Sequence, residues 1–233
     1  MTNAHCTFDL AAGSVRDLNQ ALHGLDLDKN PRLWRVLNPN GGHAIAVGLD
    51  APVTVEIDGH VGYYCAGMNK SATVLINGNA GVGVAENMIS GVVHVRGDAS
   101  QAAGATAHGG LLVIDGNASA RCGISMKGID IVVKGSIGHM SAFMGQAGTL
   151  TVFGDAGEAL GDSLYEARLF VRGSVASLGA DCVEKEMRDE HKALLHARLE
   201  AAGAAGEVDV SEFRRYGSAR NLYHFHVDNV DAY

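Results

Sequence analysis

The chain has 233 residues, 47% of them hydrophobic and only 6% aromatic, with 31 glycines and a formal net charge of -8. That supplies one large core built from small and β-branched side chains rather than rings. The acidic balance argues against a nucleic-acid partner, which calls for a basic face, and no run of about 18 apolar residues is present to cross a membrane as a helix.

The first residues, MTNAHCTFDLAAGSVRD, carry no basic segment followed by an apolar run, so no secretory signal is expected. Cys6, Cys65, Cys122 and Cys182 show no C-x-x-C spacing, and the default expectation is reduced thiols in the cytoplasm. Residues 1–40 read as an N-terminal cap. Within them SVRDLNQALHG predicts a short helix, with Ser14 as its cap and Val15, Leu18 and Leu22 on one face. WRVLNPNGGHAIAVGL reads as a strand, a turn and a second strand that could cover the first rung of the repeats downstream.

Residues 41–182 obey a ruler of 19 residues. Gly59, Gly78, Gly97, Gly116, Gly135, Gly154 and Gly173 all fall on it. Two residues earlier stand Ile57, Ile76, Val95, Ile114, Val133, Val152 and Val171; four earlier, Val55, Val74, Val93, Leu112, Ile131, Leu150 and Leu169. Positions two apart share one face of a strand, so each repeat holds one short strand with an inward pair. Stacked at about 4.8 Å, such strands pair with the coils above and below and close a continuous core. The expected fold is all-β, a right-handed parallel β-helix of about seven 19-residue coils, roughly 29 Å tall over six spacings.

The ruler glycines are expected at a corner whose backbone angle a Cβ would penalise. The residue after each, from His60 through Asn79, Asp98, Asn117, Ser136 and Asp155 to Ser174, is mostly a turn former. Two after stand Val61, Ala80, Ala99, Ala118, Ile137, Ala156 and Val175. Seven after, only alanine and glycine occur, so a second wall can approach closely. Arg96, Asp115 and Lys134 alternate in sign on what reads as an exposed edge. Cys65 and Cys122 share a column three rungs apart, roughly 14 Å, too far for a disulfide.

Beyond Asp181 the repeat stops, and residues 183–233 form a C-terminal appendage. CVEKEMRDEHKALLHARLEAAG predicts a charged helix with Met187, Leu194, Leu195 and Leu199 available for packing. The aromatic-rich tail offers Tyr216, Tyr223, His224, Phe225, His226 and Tyr233 as a candidate partner interface; the competing role is closure of the open end.

Several tempting motifs dissolve on this ruler. GNAGVGVAEN (78–87) is a rung corner with no helix after it, so it does not read as a nucleotide loop, and the RGD at 96–98 is explained as corner residues. His224 and His226 lack a third ligand at standard spacing, so no metal is expected. Neither a nucleophile motif nor a recurring carboxylate column is present, and no catalytic residue is assigned.

The units VTVEIDGHVG, TVLINGNAGVGVAENMISGVVHVRGDA and LLVIDGNASARCG resemble the GXGXG-repeat family, which includes the C-terminal β-helix domain of the glutamate synthase large subunit and a subunit of formylmethanofuran dehydrogenase. GHVGYYCAGMNKSATV, RCGISMKGIDIVVKGSIGHMSAFMGQAG, SLGADCVEKEM and RYGSARNLYHFHVDNVDAY extend the resemblance, over nearly the whole chain, to the stand-alone β-helix subunits of N-methylglutamate synthases (methylamine–glutamate N-methyltransferases). The resemblance implies a transferase complex in which this chain is a non-catalytic brace without a cofactor of its own. Its partners would be a glutamine-amidotransferase-like subunit and an FMN-binding, glutamate synthase-like subunit, together making N-methylglutamate from methylamine and glutamate. The alternative is the β-helix subunit of another GXGXG complex, glutamate synthase-like or formylmethanofuran dehydrogenase-like.

Overall fold

The computed structural model describes residues 5–220. Nine strands stack in parallel in strict chain order: β1 (His5–Asp9), β2 (Leu33–Leu37), β3 (Thr54–Asp58), β4 (Thr73–Ile76), β5 (Val92–Val95), β6 (Leu111–Ile114), β7 (Lys127–Val133), β8 (Ala147–Val152) and β9 (Arg168–Val171). Helix α1 (Val15–His23) lies between β1 and β2. After β9 come β10 (Cys182–Lys185), α2 (Asp189–Ala201), a 3-10 turn (Val210–Glu212) and β11 (Arg214–Ser218).

The two inward columns pair in register from Val55 and Ile57 to Leu169 and Val171, and all fourteen side chains are fully buried. Each contributes about 1.5–3 kcal/mol through removal from water. The column two after the glycine forms a second parallel ladder, Val61–Ala80–Ala99–Ala118–Ile137–Ala156–Val175. The expected parallel solenoid is therefore present.

The glycines do stand in one vertical file. From Gly97 to Gly173 each ruler glycine donates its N–H to the carbonyl of the glycine one coil earlier, at 2.9–3.1 Å. Their reason is not the expected one. Of the seven, only Gly59 has a positive φ (139°). At Gly78 an added Cβ would stand 2.6 Å from the carbonyl carbon and oxygen of Gly59, and Gly116 and Gly135 face the glycine below in the same way. Close approach of successive backbones, not a left-handed corner, excludes the side chain.

Left-handed backbone lies instead on a third wall. Residues five, seven and nine after each of the first six ruler glycines take it in turn: Tyr64, Ala66 and Met68 (φ 60°, 54° and 55°), then Gly83, Ala85 and Asn87, and so on to Ala159, Gly161 and Ser163. Their amides bond alternately to the coil above and the coil below, as in Tyr64 N–H to Val82 O (2.8 Å) and Ala66 N–H to Ile45 O (2.9 Å). The small residues seven after the glycine thus sit at a left-handed position, where alanine or glycine fits. The HAIAV stretch, expected as a second strand, belongs to this turn wall, with Ala44, Ala46 and Gly48 at φ 55°, 56° and 69°. Alternating small and apolar letters mimic a strand, although on this wall consecutive residues such as Ile45 and Ala46 are both buried. The preceding Leu33–Leu37 is a rung itself, pairing β1 on one side and β3 on the other.

Both ends are closed by the chain. Helix α1 forms as expected, with the Ser14 capping box to Asp17 and Leu18 and Leu22 buried. It takes the place of a further turn wall. The Asn19 amide donates to Ala44 O (2.8 Å) and accepts from Ala46 N–H (2.9 Å), and His23 Nε2 meets Val47 O at 2.7 Å. One helix face thereby satisfies backbone groups that another coil would have bonded. At the far end β11 inserts antiparallel between β9 and β10. The stretch from Cys182, expected to be helical, is a strand over Cys182–Lys185 and becomes helical at Asp189.

Helix α2 returns across the outer face of the sheet. Leu195 and Leu199 join Val113, Val132, Phe153, Phe170 and Phe213 in a second core, and the Phe153 and Phe213 rings meet edge to face at 5.9 Å. Arg198 pairs with Asp130 at 2.8 Å and Lys134 with Glu207 at 2.8 Å, stitching the appendage to the coils.

Candidate functional site

The corner carries a feature beyond turn propensity. The side chain after each ruler glycine accepts a hydrogen bond from the backbone N–H of the equivalent residue one coil later: His60 from Asn79 (2.8 Å), Asn79 from Asp98 (3.0 Å), Asp98 from Asn117 (2.7 Å), Asn117 from Ser136 (2.9 Å), Ser136 from Asp155 (2.9 Å) and Asp155 from Ser174 (2.7 Å). These acceptors lie against the glycine file, a second reason why no Cβ fits there. Asp155 takes two bonds from Ser174, backbone and hydroxyl, and both hold its carboxyl below the ordinary carboxylate range. The ladder consumes its own acceptors in holding coil to coil, so Asp98 and Asp155 serve as structural carboxylates.

The expected charge file is real but not fully exposed. Asp115 meets Lys134 at 3.2 Å and Arg96 at 3.7 Å, and its other neighbour is His94 Nε2 at 3.0 Å. Burial works to raise the Asp115 carboxyl; the His94 hydrogen bond and charge, with Lys134, outweigh it and hold it low. Glu207 covers Lys134, so this edge joins the coils to the C-terminal appendage.

All four cysteines are free thiols, as expected, with Cys65, Cys122 and Cys182 buried. Burial pushes each of those three thiols up to about 12, which suppresses the reactive thiolate. Among the described residues no group of three or more His, Cys, Asp or Glu is placed to hold a metal, and no helix is long and apolar enough to cross a membrane.

Of the tail residues proposed for a partner interface, Tyr216 is turned into the core, with 2% of its surface exposed. It lies on β11 opposite Leu169 and Glu184, so its role here is to close the end of the column. Tyr223, His224, Phe225, His226 and Tyr233 lie outside the described residues. Exposed large apolar side chains lie elsewhere, most of them on or beside the turn wall, with Val183 on β10 a further one. Tyr63 (54% exposed) and Val82 (48%) occupy one column on adjacent coils, and Tyr63 meets His43 with ring centroids 4.5 Å apart and planes tilted by 43°. Met68 and Met144 are further exposed apolar side chains on that wall, and Ile89 follows it. The sequence pattern did not single them out, although a tyrosine and a valine in consecutive repeats at a non-core column were the available signal.

No protein-family model matches the chain, and no solved structure matches it. Among curated proteins, Protein GlxC of Rhizobium meliloti (strain 1021) is 64% identical over 225 residues, covering 97% of this chain and 98% of the relative. Identity at that level along both lengths takes in the solenoid and both appendages, and the chain belongs to the family of Protein GlxC.

Proposed function

We propose that this chain is a non-catalytic structural subunit of an N-methylglutamate synthase-type transferase. It braces a glutamine-amidotransferase-like subunit against an FMN-binding, glutamate synthase-like subunit, which together make N-methylglutamate from methylamine and glutamate. The supporting observation is a column closed at both ends by its own chain, with exposed tyrosine, valine and methionine side chains along its flank. Stacked coils bonded at the sheet, the corner ladder and the turn wall resist bending, and a rigid flank suits partners whose sites must stay in register. Exposed apolar side chains on such a flank fit subunit contact. The resemblance of the repeats and the tail to GXGXG subunits supplies the reaction; the GlxC relative supports a shared family.

The test is co-purification of the tagged chain with its native neighbours, followed by mass and flavin analysis. A complex containing a flavoprotein and an amidotransferase-like chain, active on methylamine and glutamate, is expected; the isolated chain should turn nothing over. Recovery of the chain alone from its native source, or turnover by it without partners, overturns the reading. An amidohydrolase-type partner would place it instead in a formylmethanofuran dehydrogenase-like complex.

A further inference from the structure

The end of the column where β9, β11 and β10 meet holds an unbalanced cluster of cations. Arg215 lies on β11 with only 9% of its surface exposed. Its strand partner on one side is Phe170, buried beneath α2, and on the other Lys185, so Arg215 and Lys185 share the outer face. Lys185 Cε and one Arg215 guanidinium nitrogen both come within 4.0 Å of the position a Cβ would take on Gly217, so both side chains reach over that glycine.

A guanidinium has five N–H donors. In Arg215, Nε donates to Glu186 O at 3.0 Å, and among the described residues no carboxylate lies within ion-pairing distance. Glu186 and Glu190 are near, but both are mostly exposed and are engaged by Arg188, at 3.8 and 3.3 Å. Arg168 begins β9 two residues before Phe170, hence on the same outer face. Burial, and then the Arg188 and Arg168 charges, lower the Arg215 pKa from its ordinary value, while Glu190 and Glu186 only partly oppose them. His191, in the first turn of α2, has its pKa lowered by burial and then by the Arg215 charge, with Arg188 and Arg168 adding to it against Glu190. Burying a cation among like charges costs free energy that a chain ordinarily recovers with an anion in contact.

We propose that Arg215 and Lys185, flanked by Arg168 and Arg188, form a binding site for a carboxylate. The guanidinium fork suits a planar two-oxygen anion, and the strand pairing of Arg215 with Lys185 sets a second cationic side chain on the same face. The carboxylate can come from a free small dicarboxylate or from an acidic side chain of a protein; the recognising chemistry is the same. This inference does not depend on the reaction proposed above.

The full-length chain is titrated with L-glutamate and, separately, with a hexaglutamate peptide, against sodium chloride at matched ionic strength, by calorimetry and thermal unfolding. A saturable heat and a rise in Tm beyond the chloride control are expected with one or both probes. Response to glutamate identifies a free ligand; response to the peptide alone identifies a protein-borne carboxylate. Arg215→Met should abolish the response while melting, without probe, no lower than the parent, since it removes an unpaired buried charge. Arg188→Gln, at a mostly exposed side chain, should fold normally and weaken affinity several-fold, and it decides the matter if Arg215→Met folds poorly. No probe-specific response in the parent, or an equal response in these variants, overturns the site.

Discussion

Replacing Gly116 with alanine tests whether contact or backbone angle dictates the glycine file. The added Cβ would lie 2.8 Å from the Gly97 carbonyl oxygen and 2.9 Å from its carbon, and closer still to Asp98 Oδ1. Two of these atoms are backbone, locked into the file by Gly116 N–H to Gly97 O at 3.1 Å, so neither can swing aside. The third accepts from Asn117 N–H at 2.7 Å and would be displaced from that bond. Overpacking against fixed backbone costs about 1–3 kcal/mol, and the weakened ladder bond about 1 more. The sum, about 2–4 kcal/mol, corresponds to a fall in Tm of roughly 4–16 °C for a chain of this size. The control is Gly104→Ala. Gly104 has φ 67°, in a column where Ala66, Ala85 and Ala142 already sit at 54–56°. Its nearest neighbours are the movable side-chain ends of Ile131 and Leu112. The left-handed cost of about 1–2 kcal/mol is partly offset by about 0.4–1 kcal/mol from a less flexible unfolded chain. Urea and thermal unfolding of both variants beside the parent give the comparison. If Gly104→Ala is as damaging as Gly116→Ala, backbone angle rules the file and the steric account fails.

Asn19→Ala removes both side-chain bonds to the first turn wall, and a loss of about 1–3 kcal/mol is expected, with early hydrogen exchange at the Ala46 amide as its signature. Native-state titration with a thiol reagent near pH 8 should modify Cys6 quickly and leave Cys65, Cys122 and Cys182 unmodified until denaturant is added. His191 has a folded pKa below its ordinary value, so the unfolded chain takes up the proton first as pH falls. Stability should therefore be full above about pH 6.5 and decline below it as pH drops toward the folded value, and His191→Gln should flatten that slope in denaturant melts from pH 7.5 to 5.

The parallel stack was legible because its rule is arithmetical: one strand per 19 residues, with inward pairs at fixed offsets from Gly116 and its equivalents. Helix α1 was legible through Ser14 and the Val15–Leu18–Leu22 face. The cause of the glycines was not, because a sequence shows that a side chain is missing and not whether angle or proximity forbids it. The side-chain ladder was half visible, as a column of His, Asn, Asp and Ser that read only as turn formers. Strand β10 was swallowed by the charged helix after it, since four residues carry too little periodicity to announce themselves. The seat of α2 had a signal that went unread. The outward column three before the glycine runs Glu56, Leu75, His94 and then Val113, Val132, Thr151, Phe170, turning apolar where the helix lies. Lys185 and Arg215 stand thirty residues apart in the chain, and only the antiparallel pairing of β10 with β11 makes them neighbours.

The nineteen-residue step also constrains how this molecule can change in length. Removing one whole turn of the spiral leaves every surviving pair matched to a chemically equivalent mate, because each level presents the same offsets to the next. Removing a part-turn from within the repeating walls parts acceptors from their amides unless a loop absorbs the difference, as the 21-residue step from β2 to β3 does with Leu33 opposite Thr54. Lineages of such a protein should therefore grow or shrink by complete turns, with irregular insertions confined to excursions such as the one between the first two strands.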